Sequence, residues 1–197
     1  MSSESSELVR GPALGVLEVA TIARGIVVAD AALKRSPALL VHSRAVSGGK
    51  HLVMLEGGVA EVEEAMTAGK LAAAAVLLDH VELPAADDQV WPMLGAPIAA
   101  PDWTDDPDAE AVAIIETSTV CAAIAAADAA CKVAAVTVRD VRFAVDLAGK
   151  AYFTLTGTLD SIEAARDAAS AAVDHQKLVA LEVIAQPSPD LRGRLFR

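Results

Sequence analysis

The sequence predicts an α/β (α+β) protein of two tandem units, each a β-α-β-β-α-β path with its helices packed on an antiparallel or mixed sheet. Three observations predict it. The chain repeats itself over about 85 residues, each copy alternates short apolar runs with helical periodicity, and glycine or proline punctuates both copies at matching places.

The repeat appears when residue n is set against n+98. Glu18 then meets Glu116, Thr21 meets Thr119 and Ile26 meets Ile124. Ala29-Asp30-Ala31-Ala32-Leu33-Lys34 meets Ala127-Asp128-Ala129-Ala130-Cys131-Lys132, identical at five of six places. The offset grows to 100 between Arg44/Arg142 and Gly49/Gly149, and reaches 103 where Pro84 meets Pro187 and Asp87 meets Asp190. Similarity of this length marks a duplicated structural unit.

Each unit opens on an apolar run, 14–19 or 112–117, suited to a buried strand. A helix follows. Ile22, Ile26, Ala29 and Leu33 recur at the spacing of one helical face, as do Val120, Ile124, Ala127 and Cys131, so these positions are expected to form the buried side. Asp30/Lys34 and Asp128/Lys132 stand four apart with the acid first, an arrangement worth about 0.2–0.5 kcal/mol. Ser36-Pro37 stops the first helix. Segments 38–44 and 50–55, matched by 136–142 and 150–155, read as hairpins. The second tip, Phe143 to Gly149, is longer than the first, Ala45 to Gly49. A second helix starts near Val59 and Leu159, with Val62 and Met66, or Ile162, Ala165 and Ala169, turned inward. A last strand, 75–81 or 178–184, runs toward a proline.

Between the copies, Val90, Trp91, Met93 and Leu94 suit a short helix docked on the first unit, and the acidic stretch 101–108 reads as a solvated connector. The tail from Leu191 to Arg197 is basic, opposite in sign to the middle, and suited to an acidic surface.

Composition excludes several classes. With 54% apolar and 22% charged residues the chain has ample core, and with 3% aromatic residues that core is built from small aliphatics. Few rings remain on which bases stack. The net charge is −11, and no Lys or Arg falls between Lys70 and Lys132, while eleven acids do. Such a field repels phosphate backbones and anionic membranes, so neither nucleic acid nor membrane is expected as a partner. The N-terminus is polar, no apolar run approaches 18 residues, and nothing points out of the cytoplasm.

No constellation for catalysis stands out. His42, His51, His80 and His175 lack metal-ligand spacing and are expected at the surface or at strand ends. Cys121 and Cys131 fall in one helix about 15 Å apart, too far for a mutual disulfide, and read as reduced packing residues. Gly48-Gly49 belongs to no phosphate-binding motif and reads as a hairpin turn. Glu18 and Glu116 recur inside apolar strands, where a carboxylate needs partners, and a structural hydrogen bond to backbone or hydroxyl groups is favoured over catalysis. Lys34 and Lys132 are either solvated helix ends or interface residues whose stems lie on a neighbouring subunit.

The run Leu14-Gly15-Val16-Leu17-Glu18-Val19, then Ala29-Asp30-Ala31-Ala32-Leu33-Lys34, then Ser47-Gly48-Gly49, then Glu56-Gly57-Gly58-Val59-Ala60-Glu61-Val62 resembles, in order and spacing, the bacterial microcompartment shell domain. Both copies follow it. The chain is similar to the tandem-domain, trimer-forming class in the non-permuted order. The resemblance implies that three chains make a pseudohexameric tile with a central pore, and that tiles join other shell proteins in the facets of a protein organelle. It implies a division into a disordered segment 1–11, a first domain 12–100, an acidic linker 101–109 and a second domain 110–197 with the basic tail.

By the same resemblance Lys34 and Lys132 are the edge lysines through which tiles meet. Ser47, Gly48 and Gly49 line the pore from the first domain, and Asp146, Leu147, Ala148 and Gly149 from the second, where the tip carries an insertion. Some relatives hold an iron–sulfur cluster on a pore cysteine; Ser47 stands there instead, so no cofactor is expected. An Arg-Pro-His stretch common after the last strand of single-domain relatives is replaced by Glu82-Leu83-Pro84-Ala85 and Ala185-Gln186-Pro187-Ser188. The expected function is thus a structural shell trimer passing small polar metabolites, with no enzymatic activity. The alternative is a small-molecule-binding regulator of duplicated α/β units, with effectors at subunit interfaces.

Overall fold

The computed structural model describes residues 11–94, 109–143 and 147–192. Most of the expected disordered segment, most of the linker, Asp146 and the end of the basic tail lie outside the described residues.

The first unit runs β1 (Ala13–Val19), α1 (Ile22–Arg35), β2 (Leu39–Val46), β3 (Lys50–Gly57), α2 (Val59–Ala73) and β4 (Leu77–Leu83). A short helix α3 (Val90–Leu94) leads to the second unit: β5 (Ala111–Thr117), α4 (Val120–Val133), β6 (Thr137–Phe143), β7 (Ala151–Gly157), α5 (Leu159–Ala171), β8 (Leu178–Ala185) and α6 (Pro189–Arg192). The sheets are ordered β2-β3-β1-β4 and β6-β7-β5-β8, with every neighbouring pair antiparallel. Both copies of the repeat therefore fold alike, and neither sheet is mixed.

Strand alternation divides each sheet into two faces. In the first unit Leu17, Val19, Val53 and Leu55 pack with Val28 and Ala32 of α1 and Val62 and Met66 of α2. Leu14, Val16, Leu52 and Met54 point the other way and join a larger core with Val120, Ile124 and Phe153. Helix α4 of the second unit thus covers the outer face of the first sheet. At that contact the Cys121 thiol donates to the Val16 carbonyl at 3.7 Å.

Two expectations are corrected. Ile22, Ile26 and Leu33 are not the buried side of α1, for they are 44%, 57% and 40% exposed, and Gly25, Val28, Ala29 and Ala32 face the sheet instead. Their counterparts Val120 and Ile124 are fully buried, because α4 packs on its own sheet with one side and on the first sheet with the other. Helix α3 does not dock on the first unit alone. His42 of β2 meets the Leu94 carbonyl, while the Gln89 amide just before α3 donates to the Val136 carbonyl and accepts from the Val138 N–H, each at 2.9 Å. His51 stands at the start of β3, a strand end as expected, and is buried there with its Nε2 2.8 Å from Ser43 Oγ. Its partner across the layer is Gly25, where a Cβ would lie 2.4 Å from the imidazole ring.

Candidate functional site

The two hairpin tips meet. Gly48 and Gly49 adopt φ of 78° and 74°, and Gly149 adopts 87°, a left-handed region that glycine enters without a Cβ penalty. A Cβ on Gly48 would contact the Ala148 carbonyl at 3.5 Å, and one on Gly149 would press the Ser47 carbonyl at 3.1 Å. Lys50 Nζ donates to the Gly149 carbonyl at 3.0 Å and to the Ser118 carbonyl at 3.3 Å. Ser47, Gly48, Gly49, Ala148 and Gly149 therefore stand side by side at the joined tips, with Leu147 half-buried next to them.

Lys50 also shows what the strand carboxylates do. Its Nζ sits 2.6 Å from Glu18 Oε1, and Glu18 Oε2 accepts the Val120 N–H at 2.8 Å, the first N–H of α4. A carboxylate at a helix N-terminus satisfies an otherwise orphaned donor. Glu18 is fully buried, and that desolvation raises its pKa, against the lowering pull of Lys50. The second copy repeats the ion pair, Lys150 Nζ to Glu116 Oε1 at 2.7 Å, but there the carboxylate is 35% exposed and no helix end among the described residues covers it. The expected bond from Glu18 to backbone is present; the lysine was missed. Its signal was available, since Lys50 and Lys150 recur with Glu18 and Glu116.

A second polar group joins the units. Asp79 of β4 is buried, held by Lys177 Nζ at 2.6 Å and by the Thr119 hydroxyl at 2.5 Å. Thr119 also caps α4 by accepting from the Ala122 N–H at 3.2 Å. Beside this network lies a cavity of about 300 Å³ lined by Asp79, His80, Val81, Glu82, Cys121 and Ala122, among others.

The remaining candidates lie elsewhere. Lys34 is exposed and bound to Asp30 at 2.7 Å, while Lys132 is bound at 2.6 Å to Asp128, which is buried and also accepts the Asp87 N–H. The two lysines are at the C-terminal ends of α1 and α4, away from the hairpin tips. Burial raises both thiol pKa values, Cys131 to about 12. Among the described residues no group of three or more His, Cys, Asp or Glu is placed to hold a metal ion, and no described helix is long and apolar enough to cross a membrane.

A paired-helix, antiparallel-sheet unit present twice, with joined hairpin tips, calls for comparison with known families. The family model of the BMC domain matches residues 13–86 and again residues 111–187. The chain belongs to the BMC domain family. It is similar to the bacterial microcompartment shell protein PduT of Citrobacter freundii, 34% identical over 176 residues that make up 89% of this chain and 92% of PduT. Among solved structures, a microcompartments protein from Desulfitobacterium hafniense is 35% identical with a TM-score of 0.75, over 92% of this chain and 98% of that one. The fused permuted hexameric shell protein of the RMM microcompartment matches in fold, at 21% identity and a TM-score of 0.58 over 81% of this chain and 82% of that one. The chain is a bacterial microcompartment shell protein with two BMC domains in one polypeptide.

Proposed function

We propose that three copies of this chain close into a ring of six BMC domains, a facet tile whose central pore passes small polar metabolites and which acts by assembly, without catalysis. One observation carries the reading. Inside the chain, one side of α4 seats on the outer face of the first sheet, while the matching side of α1, with Ile22, Ile26, Val27 and Leu33, is exposed. A helix face without a sheet at one end and a sheet face without a helix at the other make a head-to-tail interface, which closes as a ring. Burying each large aliphatic side chain contributes about 1.5–3 kcal/mol, so one such seam is worth several.

In that ring the hairpin tips converge on the axis. Ser47, Gly48 and Gly49 of the first domain and Asp146, Leu147, Ala148 and Gly149 of the second line the pore, where small residues keep the aperture open. Lys34 and Lys132 stand at the tile edges, six per trimer, so that weak contacts act together in a facet beside other shell proteins. The domains run 12–100 and 110–197 with the linker 101–109 between them, and the organelle lies in the cytoplasm.

Light scattering should show a trimer, and electron micrographs should show sheets at high concentration. The double variant Lys34→Ala, Lys132→Ala should remain trimeric while sheets are lost; unchanged sheets would remove the edge role. A second reading, a small-molecule regulator, draws on the cavity of about 300 Å³ between the units. It calls for saturable binding by calorimetry and no extended assembly.

A further inference from the structure

The seam inside the chain and the seam between chains use matched positions but different residues. Val81 of β4 and Ala122 of α4 both line the cavity between the units. Strand register identifies their counterparts. Val16 stands opposite Val81 and its repeat Ile114 stands opposite Glu182, so Glu182 takes the place of Val81 on the second sheet. Arg24 precedes Ile26 by two residues as Ala122 precedes Ile124, so Arg24 takes the place of Ala122. Both are exposed, and neither has a hydrogen bond or ion pair among the described residues.

The exchange also runs the other way. Asp79 is replaced by Ala180, since Glu18 stands opposite Asp79 and Glu116 opposite Ala180. Lys177 is replaced by Val76, since the Ser118 N–H donates to the Lys177 carbonyl as the Ala20 N–H does to the Val76 carbonyl, each at 2.9 Å. On the face of β8 that carries Glu182, Ala180 and Ile184 stand two residues to either side and Ile114 stands opposite it. One seam thus has an acid and a base at one level, and the other seam has them at a different level with apolar residues around them.

We propose that Arg24 of one chain pairs with Glu182 of the next, inside the seam cavity, and that this pair and the Asp79–Lys177 pair make the two kinds of seam non-interchangeable. The proposal rests on the ring reading. A cavity left open by Ala122 and Val81 has room for a guanidinium and a carboxylate, and the apolar residues around them strengthen the attraction. The wrong seating is penalised. Helix α1 of another chain placed on the first sheet would set buried Asp79 against Val76 in place of the lysine that holds it, and would take Arg24 away from Glu182. The two pairs, each formed only in its own seam, together select alternation of the two domains around the ring.

The test reverses charges in the full chain and reads trimer dissociation by sedimentation equilibrium. Arg24→Glu and Glu182→Arg should each raise the concentration of half-dissociation by about tenfold or more, and the double reversal should restore most of the loss. Both side chains are exposed in the single chain, so circular dichroism and the melting of the monomer should be unchanged. Single variants as tightly trimeric as the wild type would overturn the pair while leaving the ring intact. Weakened singles without rescue in the double reversal would overturn the pairing as well. A wild-type chain that is monomeric would overturn the ring itself.

Discussion

Helices α1 and α4 are copies, and the second is buried on two sides where the first is buried on one. Near each N-terminus the contrast is the same. Glu18 is sealed beneath the first N–H of α4, and Glu116 makes the same lysine pair yet is part exposed. What differs is the neighbour: fusion supplies α4 to the first sheet, and nothing among the described residues supplies its equivalent to the second. Similar sequence therefore yields two burial states, because burial belongs to the interface and not to the helix.

The largest expected effect breaks this contrast at its buried end. Glu18→Ala removes the acceptor of the Val120 N–H and leaves Lys50, whose side chain is 17% exposed, without its acid. It should cost about 3–5 kcal/mol in urea unfolding. Glu116→Ala should change monomer unfolding by less than about 0.5 kcal/mol while weakening the trimer.

A second prediction sharpens the comparison inside the two helix–sheet layers. Gly25 and His51 in the first unit stand where Ala123 and Ala151 stand in the second. Gly25→Ala should cost about 1–3 kcal/mol by overpacking against the imidazole. Adding His51→Ala should recover part of that loss, since the double variant recreates the second unit's pair, and a double-mutant cycle in urea measures the coupling.

The smallest effect concerns the two thiols of α4. Cys131 titrates at about 12 and Cys121 well above its ordinary value, so both are protonated in the fold when the unfolded chain begins to ionise near 9. The contribution of Cys131 to stability is intact below pH 9 and is lost between 9 and about 12. At pH 8 both should resist alkylation in the native protein and react once it is unfolded in urea, as read by mass spectrometry.

The architecture was legible because apolar alternation, helical spacing and glycine placement agreed in both copies. The buried face of α1 was not. Periodicity finds Ile22, Ile26 and Leu33 correctly as a stripe that needs covering, but it carries no label saying whether the cover comes from the same chain. The pairing of Glu18 with Lys50 spans 32 residues and arises from register across β1 and β3, which composition cannot show. The place of α3 depended on Gln89, a polar residue with nothing in its own neighbourhood to mark it as a strand ligand. The residues of the joined hairpin tips became visible through resemblance and through the glycines, whereas Asp79 and Lys177 are 98 residues apart and have no matching pair in the other copy.

The Gln89 amide stands against β6, the outermost strand of its sheet, and offers Val136 and Val138 a donor and an acceptor as another peptide group would. An open strand edge is a template for uncontrolled addition. A shell protein that crowds its copies together, as the proposed tiles do, meets that hazard at very high local concentration. By occupying the edge with a side chain, the protein stays free to associate through its designed surfaces and is guarded against growing into fibres.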